Sequence, residues 1–232
     1  MKKVIAIVLS LVVLLTAFPG FAAGKISVED EFFYAVESYS LYGYAFAKVS
    51  NVGNKPIKVH AGILEVFDKE GDTITSTDSL RAYAEYLQPD EYTYIKMQTE
   101  LENVTVDDVD DYLLTITGKS DSNYETRRFP CTAEYQQNVR ESYFTYDYLC
   151  ATVTNDTDEP VFGLKIVMAL LDADDNILYV CSDNLYSGQA LMPGSSMLFR
   201  ESVDSSFRDY FEENDLVPDH VDAIAYLTYQ VD

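Results

Sequence analysis

Apolar and polar residues alternate along most of the chain beyond residue 25. The clearest run is Leu164, Ile166, Met168 and Leu170, interleaved with Lys165, Val167, Ala169 and Leu171. Successive side chains of a strand point to opposite faces, so this period predicts a strand with one strongly apolar face. The matching run nearer the N-terminus keeps Leu64 and Val66 on that parity and Glu65 on the other. The parity of Ile166, Met168 and Leu170 is therefore expected to face the core, and Lys165 and Val167 to face away. Each run ends in a polar cluster, Asp68-Lys69-Glu70-Gly71-Asp72 and Asp172-Ala173-Asp174-Asp175-Asn176. Asp and Asn bond their own backbone in such clusters, and Gly and Asn tolerate positive φ, so both are expected to be hairpin turns. Pro56, Pro160, Pro89 and Pro193 mark further turns. Six or seven short strands per hundred or so residues is the pattern of an antiparallel β-sandwich.

The two runs belong to an internal repeat. At an offset of 104 positions, Glu37-Ser38-Tyr39 falls on Glu141-Ser142-Tyr143, and Tyr42 and Tyr44 fall on Tyr146 and Tyr148. Asn51, Pro56, Asp68, Leu87 and Pro89 likewise fall on Asn155, Pro160, Asp172, Leu191 and Pro193. The final strands, 112–117 and 224–229, realign at an offset of 112, which gives the second repeat 112 − 104 = 8 extra residues. Those residues carry a helix signature: Asp204 or Ser205 as cap, Phe207 and Phe211 one turn apart, and Pro218 beyond. The Phe pair is expected to plug the open end of the second sandwich. The expected organisation is a signal peptide (1–22), repeat one (23–119), a linker (120–130) and repeat two (131–232). Arg127 and Arg128 in the linker are placed to pair with acidic groups of either repeat.

The first 22 residues read as an export signal. Lys2 and Lys3 precede an apolar run, and Gly20-Phe21-Ala22 puts small residues at the −3 and −1 positions of a cleavage site. The protein is therefore expected to be secreted or held at the cell surface. Removal of Lys2 and Lys3 takes the net charge from −23 to −25. Nucleic acid and anionic membrane surfaces would be repelled and are excluded as partners. Cys131, Cys150 and Cys181 allow any one of three bridges and leave one thiol over.

The order Val49-Ser50-Asn51, Pro56, Val66-Phe67-Asp68 and Leu87-Gln88-Pro89 resembles the FxLYD family of small bacterial domains. The second repeat follows with Val153-Thr154-Asn155, Pro160, Leu170-Leu171-Asp172 and Leu191-Met192-Pro193-Gly194. The resemblance implies an exported immunoglobulin-like sandwich and no chemistry. With it, the expected fold is all-β, two tandem immunoglobulin-like antiparallel sandwiches with one short helix in the second.

Sequence motifs for nucleotide binding, zinc proteolysis or a serine nucleophile are absent. His60, on the inward series of a strand, is expected to be a half-buried rim histidine, and His220 a solvated loop residue. Asp172, Asp174 and Asp175 are the weak candidates for a metal, since hard cations such as Ca²⁺ take clustered oxygens. Otherwise no cofactor is expected. The tyrosine-rich strand Tyr39, Tyr42, Tyr44 and its copy Tyr143, Tyr146, Tyr148 form the most suggestive surface, and within it Tyr42, Tyr44, Tyr146 and Tyr148, on the outward parity, are the candidate contact residues, because tyrosine is a large, stiff ring with a polar tip. The expected function is an exported, non-catalytic binding or scaffold module that contacts a protein or glycan at the cell surface. The alternatives are a Ca²⁺-dependent accessory binder and a secreted hydrolase.

Overall fold

The computed structural model describes residues 25–37 and 39–231, so the expected signal segment lies outside the described residues. The first repeat contains β1 (Ile26–Glu37), β2 (Leu41–Asn51), β3 (Ile57–Phe67), β4 (Thr73–Thr77), β5 (Leu80–Ala82), β6 (Tyr86–Leu87), β7 (Tyr92–Glu100) and β8 (Asp111–Ser120). Then come β9 (Tyr124–Phe129), β10 (Cys131–Glu141), β11 (Phe144–Thr154), β12 (Val161–Phe162), β13 (Lys165–Leu171), β14 (Ile177–Asn184), β15 (Ala190–Leu191) and β16 (Ser196–Ser202). Helix α1 (Ser205–Glu213) and β17 (His220–Gln230) complete the chain. The fold is all-β, and every strand pairing among the described residues is antiparallel. No helix among the described residues is long and apolar enough to cross a membrane.

In the first repeat the sheet β1-β2-β7-β5 faces a second sheet in which β3 pairs with β4, β6 and β8. Ala45, Ala47, Val49, Ile95 and Met97 from one sheet meet Ile57, Val59, Leu64, Val66 and Leu114 from the other. The second repeat sets β10-β11-β16 against β14-β13-β17-β9 in the same way. The shared Asn shows how closely the repeats agree. Asn51 donates its side-chain amide to the carbonyls of Lys55 and Leu87, and Asn155 does so to those of Glu159 and Leu191. Its carbonyl oxygen accepts from the backbone N–H two residues on, at Gly53 and Thr157. One buried amide thereby ties three chain segments together with every polar atom satisfied.

The last strand corrects the sequence alignment. Leu64 pairs with Leu114, and Met168, 104 positions on from Leu64, pairs with Ala223. The ladder offset is 223 − 114 = 109, so five residues are inserted before this strand, not eight. The expected linker 120–130 is also mostly strand. Ser120 ends β8, and β9 pairs with β17 from Tyr124↔Gln230 to Phe129↔Ala225. Only residues 121–123 lie between the two strands. Arg127 and Arg128 reach to either side as expected, Arg127 to Asp156 at 3.5 Å and Arg128 to Glu91 at 3.3 Å.

The repeats meet through a large aromatic face. Tyr34, Phe46, Tyr83 and Tyr94 of the first repeat join the core of the second. Asp204 caps α1, its carboxylate accepting from the Ser206 N–H, and the helix buries Phe207 and Phe211. Phe207 lies 4.9 Å from Tyr44, 5.2 Å from Tyr34 and 4.8 Å from Tyr179, ring to ring. The helix therefore fills the junction between repeats rather than only the end of one sandwich. Tyr34 Oη donates to the Leu178 carbonyl, and Asp30 Oδ2 accepts the Ile177 N–H at 2.7 Å. Tyr92 and Tyr94 both donate to Asp222 Oδ2 at 2.7 Å. Asp222 pairs with Ala169, and its neighbour Ile224 pairs with Val167. The outer face of β13 therefore looks at the first repeat, and Val167, expected outside, is fully buried. Ile166, Met168 and Leu170 are buried and Lys165 is exposed, as the alternation predicts.

Burial raises the carboxyls of Asp30, Glu31 and Glu201 from their ordinary values. A carboxyl raised on folding favours the protonated native state, so its contribution is present at low pH and is lost as pH rises through the folded value. Falling pH also reduces the self-repulsion of a chain with net charge −23. Asp172 and Asp108 oppose this only in stronger acid. Burial raises Asp172, but hydrogen bonds from Asn176 and Asp174 outweigh it, and the Thr105 N–H holds Asp108 low. The thermal midpoint is therefore expected to rise on mild acidification from pH 7 into the upper carboxylate range and to fall in stronger acid, where the lowered carboxyls of Asp172 and Asp108 are protonated. A midpoint that falls steadily from pH 7 downward contradicts this balance.

Candidate contact surface

Two aromatic ladders run along the equivalent strands β2 and β11. Tyr42, Tyr44 and Phe46 follow one another at 6.2 and 6.4 Å between ring centres, and Phe144, Tyr146 and Tyr148 at 6.4 and 5.7 Å. Alternate residues of a strand share a face, which is why every second aromatic lines up. The inner end of each ladder is closed. Phe207 lies on Tyr44, and Lys96 sits 5.2 Å from the Tyr44 ring. At the equivalent place, 104 positions on, the Arg200 guanidinium lies 3.4 Å over Tyr148 and bonds Glu141 at 2.8 Å. Of the four expected contact residues, Tyr148 is buried and Tyr44 is packed under the helix, while Tyr42 and Tyr146 are half-buried.

The open ends of the ladders lie at the hairpin tips, where Tyr39 and Tyr143 of the two tyrosine-rich strands stand. Tyr39 is 105% exposed and Tyr143 93%, each at the tip between the first two long strands of its repeat. Phe144 beside the second tip is also exposed. It forms one wall of a groove of about 300 Å³ with Tyr146, Asp204 and Arg208. Ser142 adopts φ +58, which turns the second tip tightly and projects Tyr143. Arg208 is fixed by Asp147 at 3.3 Å and by the Thr145 carbonyl at 2.7 Å, so the groove has a rigid polar floor. The sequence signal is a Tyr repeated at the offset of 104, Tyr39 and Tyr143, at a tip where packing does not require an aromatic ring.

The other candidates resolve into turn and ladder chemistry. Asp172 Oδ1 accepts from the N–H groups of Asp174 and Asn176, and Oδ2 from the Asn176 amide. Asp68 does the same for Glu70 and Asp72 in the first repeat. Asp175 adopts φ +65 and lies 3.0 Å from His220 Nε2, while Asp219 lies 3.0 Å from Nδ1. His220 begins β17 rather than lying in a loop. Among the described residues no group of three or more Cys, His, Asp or Glu is arranged to hold a metal. His60 is exposed, not half-buried, because the β3–β8 ladder slips between Val59 and Ala61 and leaves it as the bulged residue. All three cysteines are free. Burial raises each thiol, most strongly Cys181, which disfavours the nucleophilic thiolate. Cys131 Sγ donates to the Ala223 carbonyl at 3.2 Å. No protein-family model matches the chain, and no curated protein is similar to it.

Proposed function

We propose that the protein is an exported, non-catalytic binding module, built of two immunoglobulin-like sandwiches of the FxLYD kind, that holds a protein or glycan at the cell surface through its tyrosine hairpin tips. The observation that carries this reading is the pair Tyr39 and Tyr143, almost fully exposed at equivalent tips of both repeats. An exposed ring gains nothing from folding, whereas in a complex it buries a large area at little conformational cost. Two tips on one firmly joined body also allow two-point attachment, which raises avidity without new contacts. The acidic surface keeps such a module soluble and directs it away from anionic lipid.

The double variant Tyr39→Ala/Tyr143→Ala tests the proposal. Its thermal midpoint is expected to match that of the parent, because surface changes usually stay within about 0.5 kcal/mol. Its binding to intact producing cells, measured as fluorescent protein retained after washing, is expected to fall at least about tenfold through loss of avidity. Retention equal to that of the parent would dismiss the tips as the contact surface.

A further inference from the structure

Strand edges are where a β protein meets other strands, and nearly every long edge among the described residues is guarded. β1 and β10 are each interrupted by a register shift and carry charges along their length. β9 carries Arg127 and Arg128, and β16 carries Arg200 and Glu201. β4 and β5 are short. β14 is covered by the first repeat, where Asp30 accepts its Ile177 N–H and Tyr34 donates to its Leu178 carbonyl.

β8 is the exception. From Tyr112 to Gly118 it carries no charge and, among the described residues, pairs on one side alone, with β3. In the second repeat the corresponding edge, that of β17, is filled by β9. At the offset of 104, β9 falls on positions 20–25. Lys25 is already engaged, its carbonyl accepting the Val52 N–H at 2.8 Å. Cleavage after Ala22 leaves too few residues ahead of it to make a strand.

We infer that the outer edge of β8 is a pairing site for β8 of a second chain, which makes the exported protein a two-fold symmetric dimer with sheets continuous across the axis. The inference rests on the export reading only in that residues before Ala23 are removed. Backbone direction limits the register and charge selects it. The Tyr112 N–H is turned from β3 to the open edge, where the Asp111 carboxylate accepts it at 2.8 Å in the single chain; on pairing it passes to the second chain's Gly118 carbonyl and frees the carboxylate. Backbone groups alternate sides along a strand, so Leu114, Ile116 and Gly118 present theirs to the same open edge. Antiparallel pairing about a two-fold axis must match these residues with one another. An axis through Thr115 does so, with Leu114 opposite the second chain's Ile116 and Tyr112 opposite the second chain's Gly118. On the outer face the same register sets Asp111 opposite the second chain's Lys119, twice per dimer. Opposite charges directly across a ladder are favourable and like charges are not. Leu113, 43% exposed, and Ile63, 45% exposed, flank the axis and become partly covered.

Sedimentation of the secreted chain at about 10 μM is expected to show a dimer in the affinity range of a modest interface. Lys119→Glu is expected to weaken dimerisation by about tenfold, and Asp111→Lys similarly, since each sets like charges opposite one another twice. The double variant Asp111→Lys/Lys119→Glu is expected to restore it, which separates a charge contact from misfolding. A dimer indifferent to either single reversal overturns this pairing. So does a monomer that begins at Ala23, whose edge is then open only to peptides of other proteins. A monomer that still carries residues before Ala23 overturns the export reading and with it the open edge. N-terminal sequencing of the same sample distinguishes these two failures.

Discussion

Replacing Phe207 by Ala is expected to cost about 3–5 kcal/mol, the usual range for truncating a buried Phe. The ring is buried and stands among Tyr34, Tyr44, Phe46 and Tyr179, three of them from the first repeat and one from the second. Its removal leaves a cavity at the place where the two repeats share a core, and the aromatic pairs around it are lost as well. The effect should therefore appear in cooperativity as well as in stability. The parent should unfold in one transition, because neither aromatic face can be exposed alone without large loss. The variant should show a broadened or split melt as the repeats begin to unfold separately. Limited proteolysis should then cut first at 121–123, the short turn between β8 and β9. A single sharp melt with a loss under about 1 kcal/mol would mean that the helix is peripheral to the junction.

The second large effect lies in β13. Met168→Ala is expected to cost about 2–5 kcal/mol, since Met168 is fully buried in the second core. Lys165→Ala is expected to stay within about 0.5 kcal/mol. Val167→Ala should cost about 2 kcal/mol, from two lost methyl groups and the space they leave. Denaturant melts of the three variants rank them. A Val167→Ala loss as small as that of Lys165→Ala would show that the first repeat does not cover this face.

Val167 also shows how far the sequence could be read. Alternation located the strand and its inner face, because the inner face is apolar in both repeats. The outer face of β13 is buried by contact with the other repeat, and that contact is made of what differs between the repeats. Phe46 stands where the second repeat has Cys150, Tyr94 where it has Leu198, and α1 has no counterpart helix among the described residues of the first repeat. An alignment built on likeness displays the shared Asn51 and Asn155 and hides these. The strand within the expected linker was hidden for a related reason. Gly118, Asp121, Ser122, Asn123 and Pro130 mark breaks, but between them Tyr124 to Phe129 forms a strand whose partner, β17, is about a hundred residues away in sequence. The two tyrosine-rich strands, Tyr39 to Tyr44 and Tyr143 to Tyr148, were legible in the sequence, but not which of their rings are covered. Outward parity identifies Tyr42, Tyr44, Tyr146 and Tyr148, yet parity does not show that Phe207 and Arg200 cover the inner ends and leave Tyr39 and Tyr143 at the tips.

The partition of tyrosines between junction and tips is open to direct measurement. Tyrosine nitration of the secreted chain, mapped by peptide mass with and without intact producing cells, reports each ring separately. Tyr39 and Tyr143 are expected to react readily in the free chain and to be protected when cells are present, while Tyr34 and Tyr94 stay unmodified in both. Equal modification of Tyr39 and Tyr143 with and without cells, or ready modification of Tyr34 and Tyr94 in the free chain, would contradict the account.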